Sequence, residues 1–339
     1  MVRVALIGAG AIASQGYLPA VEGLADTDLV AVVDIDEDRA RTVARTFGAD
    51  AYATDYTRIL GDVDAVIIST PPSSHAEIAA DCLAAGVHVF TEKPVATDSS
   101  TAADLIERAE AESLHYGISR QLRESPACRL IRQFVRNGSI GGVRTCTVTY
   151  GDQTNWEFAS DYRLRGSLSW GGVLPDRGPH VLDILQWTFE EPMTVEGYRD
   201  DALGGLEANA DLELTIGADT AARLELTSTR AIPNLISVTG DRGTIEADPH
   251  GESAILRDTE TDDVARVEPG GEPAARSYLA RVGAQAHRFL RSIRSDETSY
   301  VPAASGLALL ELFETSYEMR EASLGTWEPV RSATHATLI

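Results

Sequence analysis

Apolar runs alternate with amphipathic stretches over the first third of the chain. The predicted strands are four short apolar runs, at residues 2–7, 29–33, 65–69 and 87–90. Helical periodicity follows the third and fourth runs, over residues 74–85 and 101–112. Continuous apolar runs of this length are typical of fully buried strands, and their alternation with helices indicates a parallel sheet. Ligands of such sheets bind at the carboxyl ends of the strands.

The pattern changes beyond residue 120. An amphipathic helix is predicted over residues 125–137, followed by a strand over 143–150. From 193 to 267 short strands are separated by turn residues, which indicates an antiparallel sheet, and two helices at 278–294 and 303–322 close the chain. A length of 339 residues exceeds what one core usually supports. We therefore predict an α/β protein with a first domain at 1–120 and an α+β domain at 121–339.

The glycine-rich turn after the first run fits the dinucleotide-binding pattern GxGxxA. Gly8 would make the turn, Gly10 would let the backbone approach a pyrophosphate, and the first helical amides would hold the phosphates. The second run ends in Asp34, at the distance expected for the acid that binds the adenosine ribose. Capping of the next helix is the alternative role for this residue. The predicted cofactor contacts of this region are Gly8, Gly10, Ala11, Ile12, Asp34 and Arg39.

The charges beside Asp34 indicate which cofactor binds. Asp36, Glu37 and Asp38 would repel a 2′-phosphate, which favours NAD over NADP, whereas Arg39 would favour NADP. Further contacts are predicted at the ends of the third and fourth runs, from Thr70, Pro71, Glu92 and Lys93. For His75, a role near the nicotinamide and a polar contact at the helix start are equally good interpretations.

Lys93 is the single lysine among 29 basic residues. Arginine, used everywhere else, cannot replace a compact ammonium whose pKa responds to burial. Chance could explain a lone lysine, but Lys93 follows a strand directly, in Thr91-Glu92-Lys93-Pro94. We expect it where a nicotinamide and a substrate meet, with Pro94 stiffening the turn.

The stretch 171–183 holds a carboxylate and an imidazole with helical spacing. Asp176 and His180 stand four apart, so they project from one face of a helix and can move a proton at neutral pH. Simple capping of that helix is the alternative. The polar, aromatic-rich loop at 152–170 is predicted to bind a carbohydrate-like ligand through Trp156, Tyr162 and Arg163, with core packing an equally good interpretation of each residue.

Composition excludes several classes of function. The net charge of −23 argues against nucleic acid and anionic membranes as partners. No apolar run reaches the roughly 18 residues needed to span a bilayer, and no basic leader precedes Val2, so a cytoplasmic protein is expected. Cys82, Cys128 and Cys146 lack metal-like spacing, which predicts reduced structural thiols and no metal site. The acidity is that of a solvated surface and is compatible with a halophilic source.

Together these motifs resemble the Gfo/Idh/MocA oxidoreductases, the glucose–fructose oxidoreductase and inositol dehydrogenase group. The matching segments are 8–13 with Asp34, 70–72 with His75, 92–94, 123–126, 171–183 and the closing helix pair. The resemblance implies a Rossmann domain and an open-faced α/β domain that binds substrate and often mediates homodimers or homotetramers. It also implies that Lys93, Asp176 and His180 are catalytic and that Arg123 binds substrate. Glu124 departs from the family, which usually has an aromatic residue there.

The implied reaction is NAD(P)-linked oxidation or reduction at a secondary alcohol or ketone of a sugar or cyclitol. His180 would accept the hydroxyl proton, Lys93 would stabilise the alkoxide, and Asp176 would orient a substrate hydroxyl or the imidazole. Three alternatives stay open: a reductase working mainly towards the alcohol, an NAD-dependent glycoside hydrolase on this fold, and a non-catalytic sensor of sugar or NAD.

Overall fold

The computed structural model describes residues 1–153, 171–202, 206–270, 277–295 and 298–322. The first domain is built on a six-stranded, fully parallel sheet, as predicted, in the order β3-β2-β1-β4-β5-β6. The strands are β1 (Val2–Ile7), β2 (Thr27–Val33), β3 (Ala51–Ala53), β4 (Ala65–Ile68), β5 (His88–Thr91) and β6 (Tyr116–Ile118). The short edge strands β3 and β6 were not predicted, because three residues carry too little apolar pattern.

Helices cover this sheet on both faces, which explains why its central strands are apolar throughout. A π-helical turn at Ala13–Tyr17 leads into α1 (Leu18–Glu22), and the later helices are α2 (Glu37–Phe47), α3 (His75–Ala84) and α4 (Ser99–Ala111). Side-chain caps begin two of them. Asp36 accepts from the amide of Arg39 at 3.0 Å, and Asp98 accepts from that of Thr101 at 2.7 Å.

The second domain carries a nine-stranded sheet, in the order β14-β13-β12-β11-β7-β10-β9-β8-β15. Its strands are β7 (Val143–Gly151), β8 (Met193–Asp200), β9 (Asn209–Ile216), β10 (Thr220–Thr227), β11 (Leu235–Gly240), β12 (Gly243–Ala247), β13 (Ala254–Asp258), β14 (Val264–Val267) and β15 (Arg320–Ala322). It is mostly antiparallel, as predicted, but β7 pairs with β10 and β8 pairs with β15 in parallel.

Alternation of buried and accessible residues along these strands leaves one face of the sheet open. In β9, for example, Ala210, Leu212, Leu214 and Ile216 are buried, and the residues between them are at least partly exposed. The buried face packs against α5 (Pro126–Arg136), α6 (Val173–Phe189) and α8 (Leu307–Glu318).

Helix α7 (Tyr278–Ser292) returns the chain to the first domain. Its Val282 and Phe289 belong to the same buried cluster as β1. The approach is close: a Cβ on Gly16 would lie 2.9 Å from Val282, and one on Gly283 would lie 2.8 Å from Ala20. The closing segment of the predicted 121–339 domain therefore also completes the core of the first domain. None of the helices in the described parts of the chain is long and apolar enough to cross a membrane.

Candidate active site

The glycine-rich turn has the geometry that its sequence predicts. Gly8 has φ +93°, and a Cβ there would lie 2.6 Å from the carbonyl oxygen of Ser69, so a larger residue would be excluded. A Cβ on Gly10, by contrast, would have no neighbour within 4 Å. Space is therefore open above the turn, where the first helical amides begin, and Ala11 and Ile12 are exposed or partly exposed beside it.

Asp34 ties the end of β2 to this turn. Its carboxylate accepts from the amides of Ala9 at 2.8 Å and Asp36 at 2.9 Å, and its side chain is largely buried. Arg39 lies 3.2 Å from it and also pairs with Asp36. Because Asp36 is the cap of α2, the alternative role of Asp34 as a helix cap is wrong. The next side chain, Ile35, is 93% exposed.

His75 joins the two neighbouring turns that follow β4 and β5. The ring is fully buried, with Nδ1 2.6 Å from the carbonyl oxygen of Pro94 and Nε2 2.8 Å from that of Thr70. Burial lowers its pKa below 6.5. The Lys93–Pro94 peptide bond is cis. His75 therefore supports the turns that carry Thr70, Pro71 and Lys93, and it presents no surface of its own to a ligand.

Glu92 is held by a tyrosine of the helical segment that follows the glycine turn. Tyr17, in the π-helical turn, donates its hydroxyl hydrogen to the Glu92 carboxylate. Burial and this neighbouring negative charge raise the pKa of Tyr17 well above 10. The contact links the helix after the glycine turn to the turn that carries Lys93.

Lys93 reaches across to the second domain. Its Nζ donates to the backbone carbonyl of Asp176 at 2.6 Å and lies 3.2 Å from the carboxylate Oδ1 of the same residue. The lysine side chain is 15% exposed and that of Asp176 is 34% exposed, so the pair remains accessible to a ligand. The structure thus brings together two of the three residues predicted to be catalytic.

His180 follows one turn later on α6. Its Nδ1 lies 2.8 Å from the side-chain nitrogen of Gln121, and its ring centroid lies 6.2 Å from that of Tyr150. Burial lowers the pKa of His180 well below 6.5, and the charge of Lys93 lowers it further, while Asp176 opposes the shift. The imidazole is therefore neutral at pH 7, and the lysine is close enough to act on it.

The start of α6 depends on a residue that sequence reasoning missed. Glu207 accepts from the amides of Gly172 at 3.0 Å and Leu174 at 3.2 Å, and from the hydroxyl of Tyr317 at 2.7 Å. A Cβ on Gly172 would lie 2.0 Å from the carbonyl oxygen of Glu207, so this glycine is required by the contact. No local signal could reveal a cap that lies more than 30 residues away.

Arg123, predicted to bind substrate, is bonded to Asp183. Its Nε and Nη2 each donate to that carboxylate at 2.8 Å, and Arg120 lies 3.1 Å from the same group. The Arg123 guanidinium also lies 5.6 Å from the ring centre of Trp187. The bidentate pair orders the helix that carries His180. The other predicted substrate residues, Trp156, Tyr162 and Arg163, lie outside the described residues.

Glu124, which departs from the family pattern, anchors α7. It is 6% exposed, accepts from the side-chain amide of Gln285 at 2.8 Å, and lies 2.9 Å from the guanidinium of Arg288. Its carboxylate also pairs with Arg129. A charged residue here therefore replaces aromatic packing with a buried ion-pair cluster.

The described parts of the chain were predicted to hold no metal site and only structural thiols, and the relevant side chains there are as follows. No group of three histidine, cysteine, aspartate or glutamate side chains there is arranged to hold a metal ion. Cys82, Cys128 and Cys146 are buried free thiols, and burial raises the pKa of each to about 12.

Comparison with known proteins identifies the class to which this architecture belongs. A family model described as "Oxidoreductase family, NAD-binding Rossmann fold" matches residues 2–119, and one described as "GFO/IDH/MocA C-terminal domain" matches residues 128–246. The chain belongs to the GFO/IDH/MocA oxidoreductase family, and its first domain is an NAD(P)-binding Rossmann domain.

Relatives give the family context. A dTDP-3,4-didehydro-2,6-dideoxy-α-D-glucose 3-reductase from Saccharopolyspora spinosa is 28% identical over 90% of this chain and 91% of its own. An inositol 2-dehydrogenase from Rhizobium meliloti is 27% identical over 73% of this chain and 76% of its own. The aldose-aldose oxidoreductase structure from Caulobacter crescentus, 22% identical, has a TM-score of 0.82, covers 94% of this chain and 97% of its own, and shows the shared fold.

Proposed function

We propose that this protein transfers a hydride between a nicotinamide and a secondary alcohol or ketone of a sugar or cyclitol. The observation that carries the proposal is the contact of Lys93 Nζ with Asp176, at 2.6 and 3.2 Å, one helical turn before His180. An ammonium, a carboxylate and a neutral imidazole then lie at the carboxyl end of β5, where a parallel sheet binds its ligand. The named activities of the two curated relatives, on a dTDP-sugar and on inositol, support this substrate class.

The residues of the glycine turn fit a dinucleotide. Open space above Gly10 and the first helical amides suit a pyrophosphate, and the Asp34 carboxylate suits a ribose hydroxyl. We propose NAD as the cofactor in preference to NADP, because Arg39 is already paired with Asp34 and Asp36. When bound, the nicotinamide accepts or supplies the hydride.

The chain's own residues handle the proton. His180 accepts the hydroxyl proton of the alcohol at Nε2, the ring nitrogen that does not face Gln121, in the tautomer that carries its hydrogen on Nδ1. Lys93 stabilises the oxygen as it becomes an alkoxide, by a charge-assisted hydrogen bond. Asp176 holds the ammonium in place through its carbonyl and carboxylate oxygens. In the reductive direction the same groups act in reverse.

We also propose an oligomeric state, a class of partner and a cellular location for the enzyme. The open face of the nine-stranded sheet supports a homodimer or homotetramer, with small-molecule substrates and neither nucleic acid nor membrane as a partner. Three buried free thiols support a cytoplasmic location, because disulfides are rare there.

A screen of polyols and aldoses with NAD and NADP, in low and high salt, tests the proposal by NAD(P)H absorbance. We expect reduced cofactor to accumulate with at least one polyol or aldose, and Lys93→Met and His180→Asn to abolish it. Glycoside cleavage without net NADH release would favour the hydrolase instead. Binding of NAD or sugar without turnover would favour the sensor, although a sensor has no need of the assembled Lys93–Asp176–His180 group.

A further inference from the structure

We propose that Gln121 is a positioning residue whose side-chain amide selects the tautomer of His180, and so decides whether Nε2 can accept a proton. The proposal rests on the proposed function, since it assigns a supporting role in that proton transfer. The sequence pattern around Gln121 indicates no role for it. Among the described contacts, neither Arg120 nor Arg123 forms a hydrogen bond with the imidazole ring, whereas Gln121 does.

The position of Gln121 is defined by the fold. It opens the short 3-10 turn Gln121–Glu124 after β6, the strand next to β5, and is 3% exposed. The amide of Ser119 donates to the carbonyl of Thr91 at 2.9 Å, so the ends of these two strands are joined. Adjacent strands thus deliver Lys93 to Asp176 and Gln121 to His180, on consecutive turns of one helix.

The side-chain amide of Gln121 has both a hydrogen-bond donor, its NH₂ group, and an acceptor, its carbonyl oxygen. As placed, the Gln121 nitrogen lies 2.8 Å from Nδ1 and donates to it, which puts the imidazole proton on Nε2. That tautomer cannot accept a proton at Nε2. A half-turn of the amide presents Oε1 to an Nδ1–H group and frees the Nε2 lone pair. Each orientation of the amide therefore fixes one tautomer, whereas a carboxylate at the same place would accept only.

In the proposed proton transfer, the imidazole of His180 is the only group that accepts the proton. The alcohol loses its hydroxyl proton to Nε2 as its carbon loses hydride to the nicotinamide, and the resulting imidazolium keeps its Nδ1–H bond to Gln121 Oε1. Other charged or titratable groups also act on this ring: Lys93, Asp176, Arg120 and His250 by their charges, and Tyr150 by its ring contact.

Two variants test the proposal. Gln121→Met keeps the length of the side chain but removes both hydrogen-bonding groups, and we expect kcat to fall about 10- to 100-fold with little change in KM. Gln121→Glu accepts only and adds a negative charge, so it should move the acidic limb of the kcat/KM profile to higher pH by about one unit or more. Gln285→Met removes another buried amide, bonded to Glu124, and should lower stability without moving that limb.

A readout that needs no turnover separates this inference from the proposed function. Ring nitrogen-15 shifts of labelled histidines report tautomer and pKa directly, and His180→Asn assigns the signal. We expect the His180 tautomer ratio to change in Gln121→Met and its pKa to rise in Gln121→Glu. Those changes without oxidation of any polyol would leave the inference standing and remove the function. Oxidation with unchanged ring signals and an unchanged pH profile in both variants would overturn the inference.

Discussion

Helix α6 carries two aspartates, seven residues apart, that meet the N-terminal half of the chain in different ways. Asp176 pairs with Lys93 where both side chains remain accessible, at 34% and 15% exposure. Asp183 pairs with Arg120 and Arg123, and its side chain is 2% exposed. The sequence alone presents both as an acid on the same helical face.

The two ion pairs differ in how many donors of the cation are left free for a ligand. The planar guanidinium of Arg123 uses two donors on Asp183 in a fixed fork, which leaves a rigid and buried pair. The ammonium of Lys93 has three donors, and two directions are taken by the Asp176 carbonyl and carboxylate. We assign the third to the substrate oxygen. A compact cation at an accessible edge can act on a ligand, and a buried fork stabilises the fold.

The strongest test of this comparison exchanges the type of cation. Lys93→Arg keeps the charge but not the shape, and we expect kcat to fall by about 10²–10⁴, as for loss of a positioned catalytic group. Steady-state kinetics measure the effect, with a thermal melt to confirm folding. The exchange Arg132→Lys, at a partly exposed pair with Glu190, is the matched control and should keep activity. Near-normal turnover in the Lys93 variant would remove the assignment.

The next test compares the two acids by stability. Asp183→Asn leaves the buried Arg120 and the partly buried Arg123 without their counter-charge and should cost about 3–5 kcal/mol in the free energy of unfolding. Asp176→Asn breaks a partly exposed pair and should cost less than about 1 kcal/mol while lowering activity. Urea unfolding measures both. Similar losses of stability in the two variants would contradict the proposed difference between the Asp176 and Asp183 ion pairs.

A third acid sharpens the comparison, because Asp34 is largely buried and yet is proposed to bind ligand. Asp34→Asn should raise the KM for NAD by about 10- to 100-fold and reduce the preference for NAD over NADP. The reason is that the charge-assisted hydrogen bond from a ribose hydroxyl to the Asp34 carboxylate is lost. Kinetics with both cofactors give the ratio. Asp219→Asn, at a 75% exposed side chain in the second domain, is the control. An unchanged NAD/NADP ratio in the Asp34 variant would contradict the cofactor proposal.

The smallest expected effect concerns His75, the buried counterpart of His180. Its pKa is lowered in the folded state, whereas the unfolded imidazole titrates near 6.5. The unfolded state therefore binds more protons as pH falls below about 6.5, and stability declines there until the folded pKa is reached. One such group contributes a slope of at most about 1.4 kcal/mol per pH unit. Urea midpoints from about pH 5 to 8 should vary less in His75→Gln than in the parent. An equal pH dependence would show that His75 does not contribute.

The positions of short local motifs could be predicted from the sequence. The glycine turn, Asp34, Lys93 and the pair Asp176 and His180 all follow from short-range spacing. Backbone sterics and hydrophobic periodicity act over a few residues, so they place such groups at strand ends and on helix faces. The parallel sheet and the mostly antiparallel second sheet are confirmed for the same reason.

Partner choice was decided by the tertiary structure. Gln121 meets His180 over 59 residues and Glu207 meets the amide of Gly172 over 35. The sequence determined which charges and hydrogen-bonding groups were present and on which local face each would lie. Packing decided which of them became buried together. The loss of water around a group depends on the whole fold, and it made the Asp183 ion pairs buried while the Lys93–Asp176 pair stayed accessible.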